Sequence, residues 1–481
     1  MVYSKRFVAL GMCLLLTLLS FSVFDLTPVS AGVITVTTTV DEDGGDNEEC
    51  SLREAIKAAN TDSDYGGCTA GSGEDLIVLP EGVYTLTIGS QLPFVTTDIT
   101  IQGQGLSTTI IQANACNPVT QTCTHKILVF WVADTGDLSL ENLTVRHGRV
   151  ESSSFGGGIF NQGDVHLSNA AVNYNLGIQG GAIRNAGTGN ITIENSMLYE
   201  NKADNGGAVF NSGDLTVLGS TFQGNMANNG AAIRNDGELE ITNSTFSGNQ
   251  AEARAGGVDN HGVATITNAT FWGNEGTQGV GVYNGEDDIL NFSNTIITQS
   301  QSGGDCENAG DISTNSKNLV EDGSCDADYD GDPLLGPLTD NGGPTKTHQL
   351  LSGSPAVDNG DAESCPLFDQ RGIDRPKGAG CDIGAFEFFP AVAAFTASPL
   401  TGRIPLKVAF TNGSSGEYDA CYWDFGDNSN SSLCNPHHTF TEPGTYTVTL
   451  TVSGLGGSDT LIRTDYILVE GFKNFLPILA K

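Results

Sequence analysis

Basic residues are scarce in this chain. Its 481 residues hold 21 Lys and Arg against 57 Asp and Glu, a formal charge of −36, so phosphate backbones and anionic lipid are repelled. Nucleic acid and membrane surfaces are therefore excluded as partners. Charged residues of either sign make up only 16% of the chain. Beyond the first thirty residues no apolar run approaches the length needed to cross a bilayer, which leaves no transmembrane segment once a leader is removed. No CxxC spacing is present, which argues against zinc and redox chemistry. What is abundant is glycine, 62 residues, beside 38% hydrophobic residues. That composition describes a turn-dense, mostly β protein able to bury a core.

The first residues read as an export signal. Lys5 and Arg6 precede the apolar run Phe7 to Phe24, and Val29-Ser30-Ala31 has the small-residue pattern cut by signal peptidase. Cleavage is expected after Ala31, with an uncleaved anchor as the alternative, and a secreted or cell-surface location follows. Setting aside Cys13, ten cysteines remain, an even number that favours disulfides in an exported chain. Their spacing suggests local pairs: Cys50 with Cys68, Cys116 with Cys123, Cys306 with Cys325, Cys365 with Cys381, and Cys421 with Cys434.

An internal repeat occupies the middle of the chain. The segments GGGIFN, GGAIRN, GGAVFN, GAAIRN, GGVDN and GVYN end at Asn161, Asn185, Asn211, Asn235, Asn260 and Asn284, spaced by 24 to 26 residues. A second marker recurs at Asn142, Asn169, Asn195, Gly219, Asn243, Asn268 and Asn294, preceded by alternating apolar pairs such as Val165/Leu167 and Ile191/Ile193. Such alternation marks half-buried strands. Each period has room for three short strands between turns, and the reading is all-β: a right-handed parallel β-helix over residues 76–330. About ten coils rising roughly 4.8 Å each predict a rod about 50 Å long. Ile159, Ile183, Val209, Ile233, Val258 and Val282 would form one inward stack, and the Asn columns are expected at turns, bonding coil to coil.

The open end of a solenoid needs a cover. Within residues 32–75, the stretch 51–60 is predicted to be a capping helix, with Ser51 and Glu54 as a capping box and Leu52, Ala55, Ile56 and Ala59 as its apolar face. CSLREAIKAAN, LIVLPEGVYTLT and the Asn/Gly repeats together resemble extracellular β-helix proteins related to polymorphic outer membrane proteins. DPLLGPLTDNGGPTKTHQLLSGSPAVDNGD, Asp369-Gln370-Arg371-Gly372 and CDIGAFE are similar to the region called choice-of-anchor Q, here residues 331–389, which are expected to form the C-terminal part of the β-helix region. The resemblance implies a secreted or surface protein, adhesive in some members.

Residues 390–470 carry a different signature. YWDFGD, then Pro436-His437-His438-Thr439-Phe440, then PGTYTVTL resemble a PKD domain, an immunoglobulin-like β-sandwich. Trp423 and Phe425 read as core, and Asp424, Asp427, His437 and His438 as turn and strand-edge residues. Asn428 stands where a second Gly is usual. The apolar tail 471–481 is too short to span a bilayer; it reads either as an attachment signal or as a strand or frayed end.

Three functions compete. The outward column beside the Asn ladder, Arg184, Phe210, Arg234, Asp259 and Tyr283 after Phe160, suggests a platform for an extracellular glycan or a cell-surface protein, with Arg234 one rung from Asp259 for a salt bridge and near Phe210 for cation–π stacking. A polysaccharide lyase or glycoside hydrolase is the alternative, but Asn60-Thr61-Asp62, Asn260-His261-Gly262 and Asp287-Asp288 lack the order such motifs require. A structural spacer is the third. The expected protein is a non-catalytic one acting in adhesion, with no cofactor other than a structural calcium candidate. That candidate is Asp326, Asp328, Asp330 and Asp332 around Gly331, which has EF-hand spacing but Pro337 where the bidentate Glu belongs. Asp41, Asp43 and Asp46 form a weaker acidic loop.

Overall fold

A computed structural model describes residues 32–45, 48–113, 126–151, 155–300 and 302–472. The leader, the Cys116–Cys123 pair, Asp46 and the end of the tail lie outside the described residues. Three parallel sheets form the body. The first has eleven strands, from Gly32–Thr35 to Asp311–Ser316; the second has ten, from Gly82–Thr85 to Leu319–Val320; the third has eight, from Phe130–Val132 to Cys306–Asn308. The chain visits the sheets in turn and rises one rung per circuit, a parallel β-solenoid. Its fold is the expected one.

Register holds along the axis. Ile159, Ile183, Val209, Ile233, Val258 and Val282 are paired in succession and all lie in one core. On the second sheet Phe222, Phe246 and Phe271 stack with centroids 4.8 and 4.6 Å apart and planes tilted by only 11°, so the ring spacing reports the rise of one coil. The small-residue pairs have a steric origin. A Cβ on Gly181 would come within 2.2 Å of the Gly207 carbonyl of the next coil, and Gly180 has φ of +75°.

Asparagine serves the stack in two ways. Asn142, Asn169, Asn195, Asn243, Asn268 and Asn294 have positive φ and form the left-handed turns anticipated for the markers. Asn161, Asn185, Asn211 and their successors instead end strands, correcting the expectation of turns there. Each is fully buried and passes a hydrogen bond along the axis: Asn185 Nδ2 donates to Asn211 Oδ1 at 2.8 Å, and Asn211 Nδ2 donates to Asn235 Oδ1 at 2.8 Å. A second buried ladder runs through Asn175, Asn201, Asn225, Asn249 and Asn274.

The helix is Leu52–Thr61, with Ser51 as N-cap outside it. Ser51 Oγ accepts from the Glu54 N–H at 3.2 Å and Glu54 Oε2 accepts from the Ser51 N–H at 3.0 Å, which completes the capping box. Leu52, Ala55, Ile56 and Ala59 join the solenoid core. Asp41 pairs with buried Arg53 at 2.8 Å, and Asp43 with Lys57, so the acidic loop is spent on the helix. Disulfides join Cys50 to Cys68, Cys306 to Cys325, Cys365 to Cys381 and Cys421 to Cys434.

The segment expected to continue the β-helix adds no coil. After Val320 the chain turns back, and residues 333–388 run as a strap along the outer face of the second sheet. Gln370 grips that face: its Oε1 accepts from Thr245 at 2.6 Å and its Nε2 donates to Thr221 at 3.0 Å. Asn268 donates to the carbonyls of Asp382 and Gly384. His348 donates from Nδ1 to the Gly336 carbonyl at 2.7 Å and accepts from Ser247 at Nε2 at 3.0 Å. Within the strap Arg375 pairs with Glu387, both fully buried, at 2.9 Å. Arg371 bonds Asp369 at 2.8 Å and reaches Glu417, in the following module, at 2.7 Å.

That module is a two-sheet sandwich, with strands 395–398, 406–412 and 437–440 in one sheet and 401–403, 457–470, 444–454, 420–424 and 430–431 in the other. Trp423 is fully buried with Phe395 and Phe410 against it at 4.9 and 5.2 Å. His438 stacks on Phe425 at 4.3 Å and bonds Asp427 at 2.7 Å. Asn428 has φ of +71°, a conformation that Asn tolerates in place of Gly.

Asn211→Ala removes a buried relay and strands its neighbours' polar groups, so it should cost about 2 to 4 kcal/mol in urea denaturation, whereas Asn190→Ala, on the exposed side, should cost less than about 0.5 kcal/mol. Burial, together with Glu387, pushes the Asp382 carboxyl up to about 7, so its contribution to stability is complete below the ordinary carboxylate range and is lost as pH rises through about 7. Burial lowers His348 to about 4, so its contribution is present above its ordinary value and is lost as pH falls through about 4. Thermal midpoints of wild type relative to Asp382→Asn should therefore fall between pH about 4 and 7, and those relative to His348→Gln should rise.

Candidate functional site

The third sheet carries a continuous outward column. Strand pairing places Trp131, Phe160, Arg184, Phe210, Arg234, Asp259, Tyr283 and Glu307 on successive rungs. The Val95–Val132 bridge adds Phe94 one rung before Trp131. All five residues expected on this face are thus brought into line, one per coil.

At the first end the column is aromatic. Trp131 has Phe94, Phe155 and Phe160 around it at 4.8, 5.0 and 4.9 Å. Phe94 is 48% exposed, whereas Phe160 and Phe210 are buried. Phe94, Trp131 and Phe155 were not anticipated. The GG-x-x-N signal that marks later rungs is missing before Trp131, but counting one strand register back from Phe160 would have found it.

The cation on Phe210 is not the anticipated one. Arg184 lies over that ring at 4.4 Å, whereas Arg234 turns to Asp259 at 2.6 Å and Asp236 at 2.6 Å. The reason is charge: a carboxylate one rung on attracts a guanidinium more strongly than a ring face does. Burial depresses the Arg184 guanidinium, opposed by Asp236.

Asp259 is the centre of the second end. Its side chain is fully buried beneath Arg234, Arg254 at 3.8 Å and His261 at 3.0 Å. Burial pushes its carboxyl up, but the His261 hydrogen bond and the neighbouring guanidiniums outweigh it and hold the group below its usual value. His261 also faces Asp288 at 3.5 Å, whose carboxyl is raised by burial. Arg254 extends over Tyr283 at 4.9 Å. Gly285 makes room for this pair, since a Cβ there would lie 2.4 Å from Asp288 and 2.8 Å from His261.

The calcium candidates sit elsewhere, at the far end of the solenoid. Asp328 accepts the Lys317 N–H at 2.5 Å and Asp332 accepts the Leu334 N–H at 2.8 Å. Among the described residues no three or more metal-ligating side chains form a cluster. An acidic hollow of about 540 Å³ nearby is lined by Asp305, Glu321 and Asp322, and its carboxylates bond backbone N–H groups.

Residues 390–469 match the PKD domain family. This part of the chain is a PKD domain. The match covers the whole sandwich, including the PKD domain's Trp423 core and the Glu417 that receives Arg371. No curated protein matches the chain at a significant level. Among the described residues no helix is long and apolar enough to cross a membrane.

The buried charge at Asp259 gives a direct test. Asp259→Ala leaves Arg234 and Arg254 without their shared carboxylate and should cost about 3 kcal/mol in denaturant titration. Asp236→Ala, at the rim, should cost less than about 1 kcal/mol.

Proposed function

We propose that the protein is an extracellular contact protein whose solenoid offers the outer face of the third sheet to a glycan or cell-surface partner, with the PKD domain held at a set position by the strap. The continuous outward column from Phe94 to Tyr283 carries this reading, because it gathers exposed aromatic surface and paired charges into one line on a rigid scaffold. Disulfides and a PKD domain suit an oxidising, extracellular setting. The CSLREAI motif and the strap sequence add a resemblance to polymorphic-outer-membrane-protein-like and choice-of-anchor Q proteins, and the export signal agrees with that setting.

Binding is favoured over cleavage by the position of Asp259. A general base or nucleophile must reach its substrate, and this carboxylate is covered by Arg234, Arg254 and His261. A glycan array with the full-length secreted protein should show saturable binding, weakened about tenfold by Phe94→Ala, and product analysis on the bound polysaccharide should show no new reducing ends or unsaturated sugars. Release of such products would replace the contact reading with an enzymatic one.

A further inference from the structure

We infer that the third-sheet face takes a neutral polysaccharide, lying parallel to the solenoid axis with about one sugar per coil. The inference rests on the contact reading above and specifies its ligand. Three features of the face support it.

The first is spacing. Ring centroids on adjacent rungs of the column lie 4.8 and 4.9 Å apart, Phe94 to Trp131 and Trp131 to Phe160, and this rise recurs at each coil. It is close to, and slightly shorter than, the length that one pyranose adds to an extended chain, so over a few coils each sugar stays near one rung.

The second is chemistry at the two ends. Half-buried Trp131 and exposed Phe94 present aromatic surface to the C–H face of a sugar ring, which is apolar while its edge is hydroxylated. At the other end Arg254 and His261 are each about a quarter exposed. Their donors, beside the acceptors of Asp236 and Asp288, suit the alternating donor and acceptor edges of vicinal hydroxyls.

The third is charge. Along the face the guanidiniums of Arg184, Arg234 and Arg254 stand against the carboxylates of Asp236, Asp259 and Asp288, Lys126 and Arg149 at the aromatic end both pair with Glu151, and the column continues into Glu307. The whole chain carries −36. A polyanion would gain no net counter-charge at the face and would approach against the field of the molecule. A polyuronate or sulfated glycan is thus disfavoured, and a neutral one is not.

The test titrates the full-length protein with neutral oligosaccharides of increasing length, gluco-, manno- and xylo-configured, and with polygalacturonate, alginate and heparin, at low and high salt. The expected result is affinity for a neutral series that climbs with each added sugar and levels off when the column is filled, changes less than about twofold with salt, and falls about tenfold in Trp131→Ala while Trp131→Phe retains most of it. Circular dichroism of both variants checks that the solenoid remains folded. Tighter, salt-sensitive binding to the acidic polymers would overturn the neutral assignment and leave the contact reading standing. Binding to neutral sugars that does not depend on length would overturn the axial arrangement. Failure of every glycan, neutral and acidic, would overturn both this inference and the glycan part of the contact reading.

Discussion

Each coil of this solenoid is the floor for the next, so every side chain on a strand faces a copy of its own position about one rung away. Whatever is placed in a column must tolerate its own kind as a neighbour. Aliphatic and aromatic side chains do so in the core, where Phe222, Phe246 and Phe271 stack nearly parallel. Buried charged side chains do not. Among buried polar groups the carboxamide is suited to the task, because it donates from nitrogen and accepts at oxygen and can pass one bond up and receive one from below. Asn161 to Asn284 and Asn175 to Asn274 are that solution. They also donate to backbone carbonyls, as Asn211 does to Gly213 and Glu238, so the ladders satisfy the corners that strand pairing leaves open.

The strap depends on the same regularity and ends it. A repeating face offers evenly spaced hydroxyls, and Gln370 bridges two of them, Thr221 and Thr245, on consecutive rungs. The next residue, Arg371, lies 3.5 Å over the Phe386 ring and joins the PKD domain through Glu417. One dipeptide therefore couples the rungs of the rod to the orientation of the domain beyond it. The carboxyl of Glu417 is raised by burial despite Arg371, and its Oε2 has no hydrogen-bond partner among the described residues, so desolvation offsets much of the attraction in this ion pair.

Periodic features were legible in the sequence because periodicity is itself a statement about neighbours. The inward stack, the Phe column and the outward column from Arg184 to Tyr283 all follow from counting 24 to 26 residues, and the PKD domain follows from a local motif. What was not legible depends on long-range choices. Thr221, Thr245 and Thr270 look like ordinary outward β-branched residues, and nothing local states that a strap will cover them. Arg184 and Arg234 are equivalent by register, so the sequence does not say that only the first would stack on Phe210; the carboxylates of Asp236 and Asp259 decide it. The EF-hand-like spacing at Asp326 to Asp332 is a local pattern that does not say which of its carboxylates will accept backbone N–H groups, as those of Asp328 and Asp332 do.

The outer faces show two responses to the same crowding. On the first sheet Asp98, Asp137, Asp164, Asn190, Asp214 and Glu238 succeed one another by rung, an acidic column in which burial and then the neighbouring carboxylates raise Asp137. Such a column is costly to bring against another surface, since removing its water would leave the repulsion unscreened. It keeps that side solvated. On the third sheet opposite charges alternate with aromatic rings, so desolvation costs less there and packing gains more. Given two faces built on one backbone, a partner would be expected where the column is self-compensating, and the low content of basic residues matters less than where the few arginines were placed.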